Sequence, residues 1–206
     1  MGAGFNEGSR SLQDRFDTRA LADRIDGLLV HDTISQGDRE FIEARDMFFL
    51  ATADAEGRPT CSYKGGEPGF VRVVDERTVA FPNYDGNGMY LSTGNLLVHP
   101  DVGMLFIDLE RGHRMRLDGT ASIDPDDPLL ADYPEAQFVV RVRPRAVFPN
   151  CPRYIHRYEL KQRSRFVPRD DCLTPVPEWK RSDWAVDALP SHDPARDPGE
   201  REVLGR

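Results

Sequence analysis

The sequence predicts a mainly β protein with flanking helices, built on a closed or partly closed barrel of about six strands. Between residues 47 and 148, short apolar or alternating segments recur at close intervals, and only one helix-like segment interrupts them. A doubly wound α/β fold would need a helix after nearly every strand, and the pattern lacks such helices. The length of 206 residues fits one domain with tails.

The N-terminal part is predicted to be helical after a mobile start. Residues 1–18 carry few apolar groups, so we expect them to be mobile or to lie over the surface. Apolar residues then recur at the spacing of an amphipathic helix, at Leu21, Ile25, Leu28 and Leu29. Ser35 followed by Asp38 predicts the capped start of a second helix.

The pattern changes to strands at Met47. Residues 47–53 form a nearly continuous apolar run, which is typical of a strand buried on both faces. Residues 54–57 end in glycine and predict a hairpin connection to a return strand over residues 58–64. Further strands are predicted at 70–74, 78–81, 102–107, 115–123 and 138–148, with a short helix that ends before Pro100.

The C-terminal part has a different composition, since nine of the 16 prolines lie from Pro144 onward. We expect the folded domain with its helices to span residues 19–157. A helix is predicted over residues 153–165. The C-terminal segment, residues 158–206, therefore begins with the end of this helix and continues as an extended tail. Tryptophans in a polar tail usually dock on a surface, so we expect this tail to pack across a subunit interface.

The charge balance excludes two classes of partner. Lysine and arginine total 27 against 35 acidic residues, a formal net charge of −8. Nucleic acids and anionic membranes both favour a basic face, so neither is an expected partner. No apolar run approaches the roughly 20 residues of a membrane span. An absent secretory signal and three widely spaced cysteines predict a cytoplasmic protein with reduced thiols.

Common catalytic motifs are missing. The sequence contains no P-loop lysine motif, no GxSxG and no HExxH. The five histidines are scattered and do not pair with cysteines at zinc spacing, so no metal site is predicted and no catalytic residue is assigned.

Two segments have the composition of anion sites. The chain has 24 arginines but only three lysines, and Lys64 is the only lysine in the first 160 residues. Lys64 lies two residues after Ser62 and directly before two glycines. Glycines let the backbone come close to a phosphate, and the lysine ammonium is a compact charge that can bind it. A wide turn with a solvated lysine explains this segment equally well.

The second segment runs over residues 83–88 and leads into the short helix. A helix N-terminus presents unpaired N–H groups and a partial positive charge, and both favour phosphate. A plain Asp-Gly turn is the commoner meaning of such a string. The strand order can bring both segments to one end of the barrel.

Three segments resemble a known family. Residues 48–59 resemble the opening hairpin of the pyridoxamine 5′-phosphate oxidase-like family, the FMN-binding split barrels. Residues 86–107 resemble its phosphate-binding helix and following strand, and residues 148–155 are similar to a flavin-nucleotide-binding subgroup. The resemblance covers roughly residues 35–157.

The resemblance implies a six-stranded split β-barrel that forms a homodimer with two FMN sites at the interface. Lys64 would lie near the ribityl phosphate, and Arg153 and Tyr154 would reach the cofactor from the second subunit. The full set of implied cofactor-binding residues is Ser62, Lys64, Gly65, Gly86, Asn87, Gly88, Ser92, Asn95, Arg153 and Tyr154. Many family members have arginine or lysine at the start of the helix, where this chain has Met89 and Tyr90.

Three functions remain open at this point. The first is an FMN-dependent oxidoreductase that acts on an unidentified small molecule. Pyridoxamine phosphate is not the expected substrate, because the substrate-binding basic and histidine residues have no match near the C-terminus. The second is a flavin-binding carrier or sensor without turnover. The third keeps the barrel but uses the deazaflavin F420 or haem.

Overall fold

The computed structural model describes residues 2, 4–197, 199 and 201–204. The chain forms two compact units, residues 1–159 and residues 160–206. The first unit contains one seven-stranded antiparallel sheet of order β2-β1-β5-β6-β7-β4-β3. Its strands are β1 (Met47–Ala53), β2 (Pro59–Gly65), β3 (Arg72–Asp75), β4 (Thr78–Tyr84), β5 (Asp101–Asp108), β6 (His113–Asp124) and β7 (Ala136–Asn150).

Four helices accompany the sheet: α1 (Glu7–Arg15), α2 (Arg19–Leu29), α3 (Gln36–Glu43) and α4 (Leu91–Val98). The predicted mainly β architecture is confirmed, and so is the single helix inserted between strands. The sheet has seven strands, whereas the resemblance implied six, and the short β3, which pairs with β4, overlaps the strand predicted at residues 70–74. Strands β2 and β3 are the edges of the sheet, so the described residues form no closed barrel.

Phe48 is the centre of the hydrophobic core. Its ring is fully buried and lies 5.9, 5.0 and 5.3 Å from three other aromatic rings, those of Phe70, Phe81 and Phe106. These rings come from β1, β4, β5 and the segment before β3, so the cluster holds both halves of the sheet together. Ile42 of α3 is also fully buried in this core.

The N-terminal helices are held by polar contacts. The capping box predicted at Ser35 and Asp38 is present at the start of α3. Helix α1 lies in the segment that we expected to be mobile or to lie over the surface. The Asn6 side chain caps it, and the Arg10 guanidinium lies 2.6 Å from the Asp23 carboxylate of α2. Its mobility stays a prediction, and no side chain of α1 or α2 is buried.

The helix predicted over residues 153–165 is absent from the structure. Nearly every residue in this range is exposed, and a short helix that buries no apolar face is marginal in water. The second unit instead contains 3₁₀ turns and two short parallel strands, β8 (Val176–Pro177) and β9 (Val203–Leu204). The Trp179 and Trp184 rings stack on each other at 5.8 Å, and packing of this tail across a subunit interface stays a prediction.

All three cysteines, Cys61, Cys151 and Cys172, are unpaired and exposed. Cys61 lies on the exposed face of β2. In the part of the chain that the structure describes, no helix has the length and apolar character needed to cross a membrane.

Asp127 is expected to make the stability of the fold depend on pH. Its buried carboxylate accepts hydrogen bonds from the Arg141 guanidinium at 2.9 Å and from the Leu129 N–H at 2.9 Å. The contact with Arg141 lowers the pKa of Asp127. A carboxyl with a lowered folded-state pKa stabilises the protein above its unfolded pKa of about 4, and this contribution is lost as the pH falls further.

Asp127→Asn should therefore lower the free energy of unfolding by about 1–3 kcal/mol at pH 7. Urea unfolding of the parent and of Asp127→Asn, at pH 7 and at about pH 3, measures the effect. The difference between their free energies of unfolding should be smaller at the acid pH. An equal difference at both pH values would contradict the assigned role of the ionised carboxylate.

Candidate functional site

One face of the edge strand β2 carries a row of polar side chains. Thr60, Ser62 and Lys64 alternate along the strand, so they share a face, and all three are half-buried. Their partners across β1 are Thr52, Leu50 and Phe48, whose side chains are buried. This face is therefore the inner one, which also contacts α4.

Strand β2 and helix α4 meet through a pair of serines, one from each element. The hydroxyl oxygens of Ser62 on β2 and Ser92 in the first turn of α4 lie 2.8 Å apart. Ser92 is 8% exposed, so this contact is buried between the strand and the helix. The structure therefore brings these two predicted site residues together, and a role of either in binding stays a prediction.

Asn95 is tied to the β1–β2 hairpin. Its Nδ2 donates to the Thr52 hydroxyl at 3.0 Å and to the Thr60 hydroxyl at 3.3 Å, and the two hydroxyls lie 2.8 Å apart. This network fixes the position of α4 against the hairpin. The role of Asn95 in cofactor binding stays a prediction. Neither threonine was predicted, although the alternation of Thr60 with Ser62 and Lys64 was a usable signal.

Helix α4 begins without a side-chain cap. The residue before it, Tyr90, has a left-handed backbone with φ of 47°, and no side chain accepts from the first N–H groups of the helix. The Tyr90 hydroxyl donates instead to Gln137 Oε1 on β7 at 3.0 Å, and its ring packs near Phe138. The first turn of α4 consequently keeps N–H groups available for an external acceptor.

Lys64 is the cation of the site. Burial lowers the pKa of its ammonium group, and no charged neighbour contributes to that shift. Across the residues that the structure describes, Lys64 makes no hydrogen bond and no ion pair with a carboxylate. A half-buried cation without a counter-ion favours binding of an anion from outside.

The loop before α4 is a tight turn. Gly86, Asn87 and Gly88 are all exposed, and the Asn87 Oδ1 accepts from the Met89 N–H at 3.1 Å. Gly88 has φ of +76°, a conformation that favours glycine. This arrangement agrees with the alternative interpretation of the segment as a plain turn. A role of these three residues in binding stays a prediction.

Gly65 is the last residue of β2 and is half-buried. A Cβ at this position would lie 2.7 Å from the ring of Tyr63, an exposed side chain. The predicted role of Gly65 in cofactor binding stays a prediction.

Arg153 and Tyr154 are not brought to the other residues. The Arg153 Nε donates to the Cys151 sulfur at 3.1 Å, and the Tyr154 side chain is 86% exposed. Neither makes a hydrogen bond or an ion pair with β2 or α4 within the described part of this chain. Their expected contribution from a second subunit stays a prediction.

No metal centre is visible at the site or elsewhere. The described residues contain no group of three or more histidine, cysteine, aspartate or glutamate side chains arranged to hold a metal ion.

Fold and site together define a mainly β protein with a candidate anion site between an edge strand and an inserted helix. The family model for pyridoxamine 5′-phosphate oxidase matches residues 34–162, so the chain belongs to this family. The match includes the whole sheet and α4. None of the curated proteins matches the chain significantly.

Several solved structures are similar to this chain at low identity. A pyridoxamine 5′-phosphate oxidase homologue from Lactobacillus delbrueckii is 22% identical, covers 57% of this chain and 95% of its own, and has a TM-score of 0.47. HutZ, the haem storage protein of Vibrio cholerae, is 22% identical over 56% of this chain and 93% of its own, with a TM-score of 0.40. An FMN-binding protein from Syntrophomonas wolfei is 11% identical over 70% and 96%, with a TM-score of 0.42. The family membership rests on the family model and not on these likenesses.

Proposed function

We propose that this protein binds FMN and uses it as an oxidoreductase acting on a small molecule. The observation that carries the proposal is Lys64, a half-buried ammonium without an anionic partner among the described residues. It lies two residues from Ser62, whose hydroxyl contacts Ser92 in the uncapped first turn of α4. Membership of the pyridoxamine 5′-phosphate oxidase family supports the same ligand.

The donors present fit a phosphate monoester. A phosphate carries up to two negative charges and three terminal oxygens that accept hydrogen bonds, so it needs a cation and several N–H or O–H donors. Lys64 supplies the charge, the first turn of α4 supplies N–H groups, and Ser62 and Ser92 supply hydroxyls. Asn95 holds α4 in place through its hydrogen bonds to the hydroxyls of Thr52 and Thr60.

FMN, when bound, supplies the redox chemistry through its ring, and the protein binds and orients it. That chemistry requires no general acid or base from the protein. A site made of one lysine, two serines and backbone N–H groups is consistent with this. In the proposed homodimer, Arg153 and Tyr154 of a second copy complete the cofactor site.

Comparison of FMN with riboflavin tests the phosphate site. The two ligands share the ring and the ribityl chain and differ in the phosphate. Calorimetric titration of the ligand-free protein should give FMN about a 10-fold to 100-fold lower Kd, the range for a charge-assisted contact. Equal affinities for the two ligands would overturn the proposed phosphate site.

Reoxidation kinetics separate an oxidoreductase from a flavin carrier. The protein with bound FMN is reduced anaerobically and mixed with oxygen or with candidate acceptors, and flavin absorbance is followed. An oxidoreductase should reoxidise with at least one acceptor faster than free FMN does. A rate no higher than that of free FMN with every acceptor would contradict the catalytic part of the proposal.

A further inference from the structure

The second compact unit contains an open cavity of about 970 Å³. Its walls come from the 3₁₀ turn Glu178–Arg181, from β8 and β9 and from Phe166. Cavities of this size are typical of sites that bind small molecules. All the residues that line it lie in this unit, so the cavity is separate from the candidate site on β2 and α4.

Most of the lining of this cavity is apolar. Phe166 is 37% exposed and Val203 is 40% exposed, so the wall presents apolar surface to solvent. Covering such surface with an apolar group is favourable. The wall therefore favours a ligand with an apolar body. Its apolar members are Phe166, Pro177, Trp179, Val203 and Leu204.

Polar and aromatic contacts hold the 3₁₀ turn in place. In the middle of the turn, the Lys180 ammonium forms a buried ion pair with the Asp193 carboxylate at 2.8 Å. The Ser182 hydroxyl donates to the Trp179 carbonyl oxygen at 2.6 Å, and the Trp184 ring stacks on the Trp179 ring at 5.8 Å. The side chains that this turn directs to the cavity consequently start from an anchored backbone.

The turn also carries two opposite charges that line the cavity, Glu178 and Arg181. They are three residues apart, and in a 3₁₀ helix such residues lie on the same side, about 6 Å apart along the axis. Neither side chain makes a hydrogen bond or an ion pair with the other or with any other described residue. The cavity therefore presents an anion and a cation side by side, and both are available to a ligand.

We propose that this cavity binds a free α-amino acid with a large apolar side chain. The ligand's carboxylate accepts hydrogen bonds from the Arg181 guanidinium, its ammonium donates to the Glu178 carboxylate, and its side chain covers the apolar wall. Both charged groups of an amino acid are close to one carbon atom, so a single small ligand contacts both charges of the turn.

Other classes of ligand use only part of this lining. A carboxylic acid without an ammonium group leaves Glu178 beside a second anion, and an amine without a carboxylate leaves Arg181 beside a second cation. In a longer peptide the two terminal charges are on different residues and are farther apart. The free amino acid is the class that matches both charges and the apolar wall. This inference does not depend on FMN.

Four related ligands test the recognition by calorimetric titration of the full-length protein. L-Phenylalanine has both charges, N-acetyl-L-phenylalanine lacks the ammonium, L-phenylalaninamide lacks the carboxylate, and L-alanine lacks the large side chain. Phenylalanine should bind about 3-fold to 10-fold more tightly than either blocked derivative, since each loses one charged contact. It should bind at least about 10-fold more tightly than alanine, because its ring is buried.

Two variants assign each charge of the ligand to its residue. Arg181→Gln should bind phenylalanine and phenylalaninamide with nearly equal affinity, because the contact to the carboxylate is lost. Glu178→Gln should likewise bind phenylalanine and N-acetyl-phenylalanine with nearly equal affinity. Lys161→Gln removes an exposed charge of the same unit that does not line the cavity, and it should discriminate among the ligands as the parent does.

Tryptophan fluorescence locates the bound ligand. Trp179 and Trp184 are the two tryptophans of the chain, and both lie in this unit. Phenylalanine in the cavity displaces water from the Trp179 ring, so the emission should shift to shorter wavelength. Trp184→Phe leaves Trp179 as the reporter and should show the same shift.

The results decide the proposal without reference to the cofactor. A phenylalanine titration that produces neither heat nor an emission shift overturns it. Equal affinity for phenylalanine and both blocked derivatives also overturns it, and so does discrimination that persists in Glu178→Gln and Arg181→Gln. FMN titration is read separately, so either assignment can fail while the other stands.

Discussion

Lys64→Gln is expected to weaken FMN binding about 10-fold to 100-fold, because the variant loses the one cation of the proposed phosphate site. Glutamine keeps a polar side chain on the inner face of β2, so the fold should be retained. Riboflavin lacks the phosphate, and its affinity should be nearly the same for the parent and the variant. Calorimetric titration with both ligands measures this difference.

The chain offers a matched control for this substitution. Lys161 is exposed and lies in the second compact unit, and Lys161→Gln removes the same charge from a different place. Its FMN affinity should equal that of the parent. Equal FMN affinity in Lys64→Gln and Lys161→Gln would remove Lys64 from the site.

Phe48→Ala should lower the free energy of unfolding by about 3–5 kcal/mol, the range for truncating a buried phenylalanine. Its ring is fully buried among Phe70, Phe81 and Phe106, so alanine leaves a cavity where the two halves of the sheet meet. Urea unfolding followed by circular dichroism measures the loss.

Leu28→Ala is the control for this loss of stability. Leu28 is 76% exposed on α2, and substitutions at such positions usually change stability by less than about 0.5 kcal/mol. A loss in Phe48→Ala of similar size to that in Leu28→Ala would contradict the central place of Phe48 in the core.

Local patterns predicted much of the fold. The continuous apolar run at residues 47–53 and the strict alternation at 115–123 predicted β1 and β6 as strands. The expectation that β1 is buried on both faces is wrong, because its second face is only partly covered and Ala51 is exposed. The capping box at Ser35 and Asp38 is equally local. The pairing of β5 with β6 is a local hairpin, whereas the pairing of β5 with β1 joins distant residues and had no signal in the sequence.

Failures in the prediction have physical causes. The segment expected to be a helix, residues 153–165, buries no apolar face in the structure, so tertiary contacts do not support a helix there. Helix α1 forms without burying any side chain, since its cap and its ion pair with α2 are polar contacts that an apolar period does not reveal.

The candidate site was predictable in its parts and less so in its assembly. Lys64 is conspicuous because lysine is rare in this chain, and the resemblance implied both Ser62 and Ser92, whose hydroxyls lie 2.8 Å apart. The role of Thr52 and Thr60 depends on the register between β1 and β2, which a sequence pattern does not show. Arg153 makes its hydrogen bond to Cys151 and Tyr154 is exposed, and their contribution to the site from a second chain stays a prediction.

The absorbance spectrum of the purified protein tests the central claim most directly. The protein as isolated, or after incubation with FMN and removal of unbound ligand by gel filtration, should show the two bands of oxidised flavin in the near-ultraviolet and blue. Incubation with haem serves as the competing test on the same preparation. A stable Soret band after haem, together with no retained flavin, would contradict the assignment of this site to FMN.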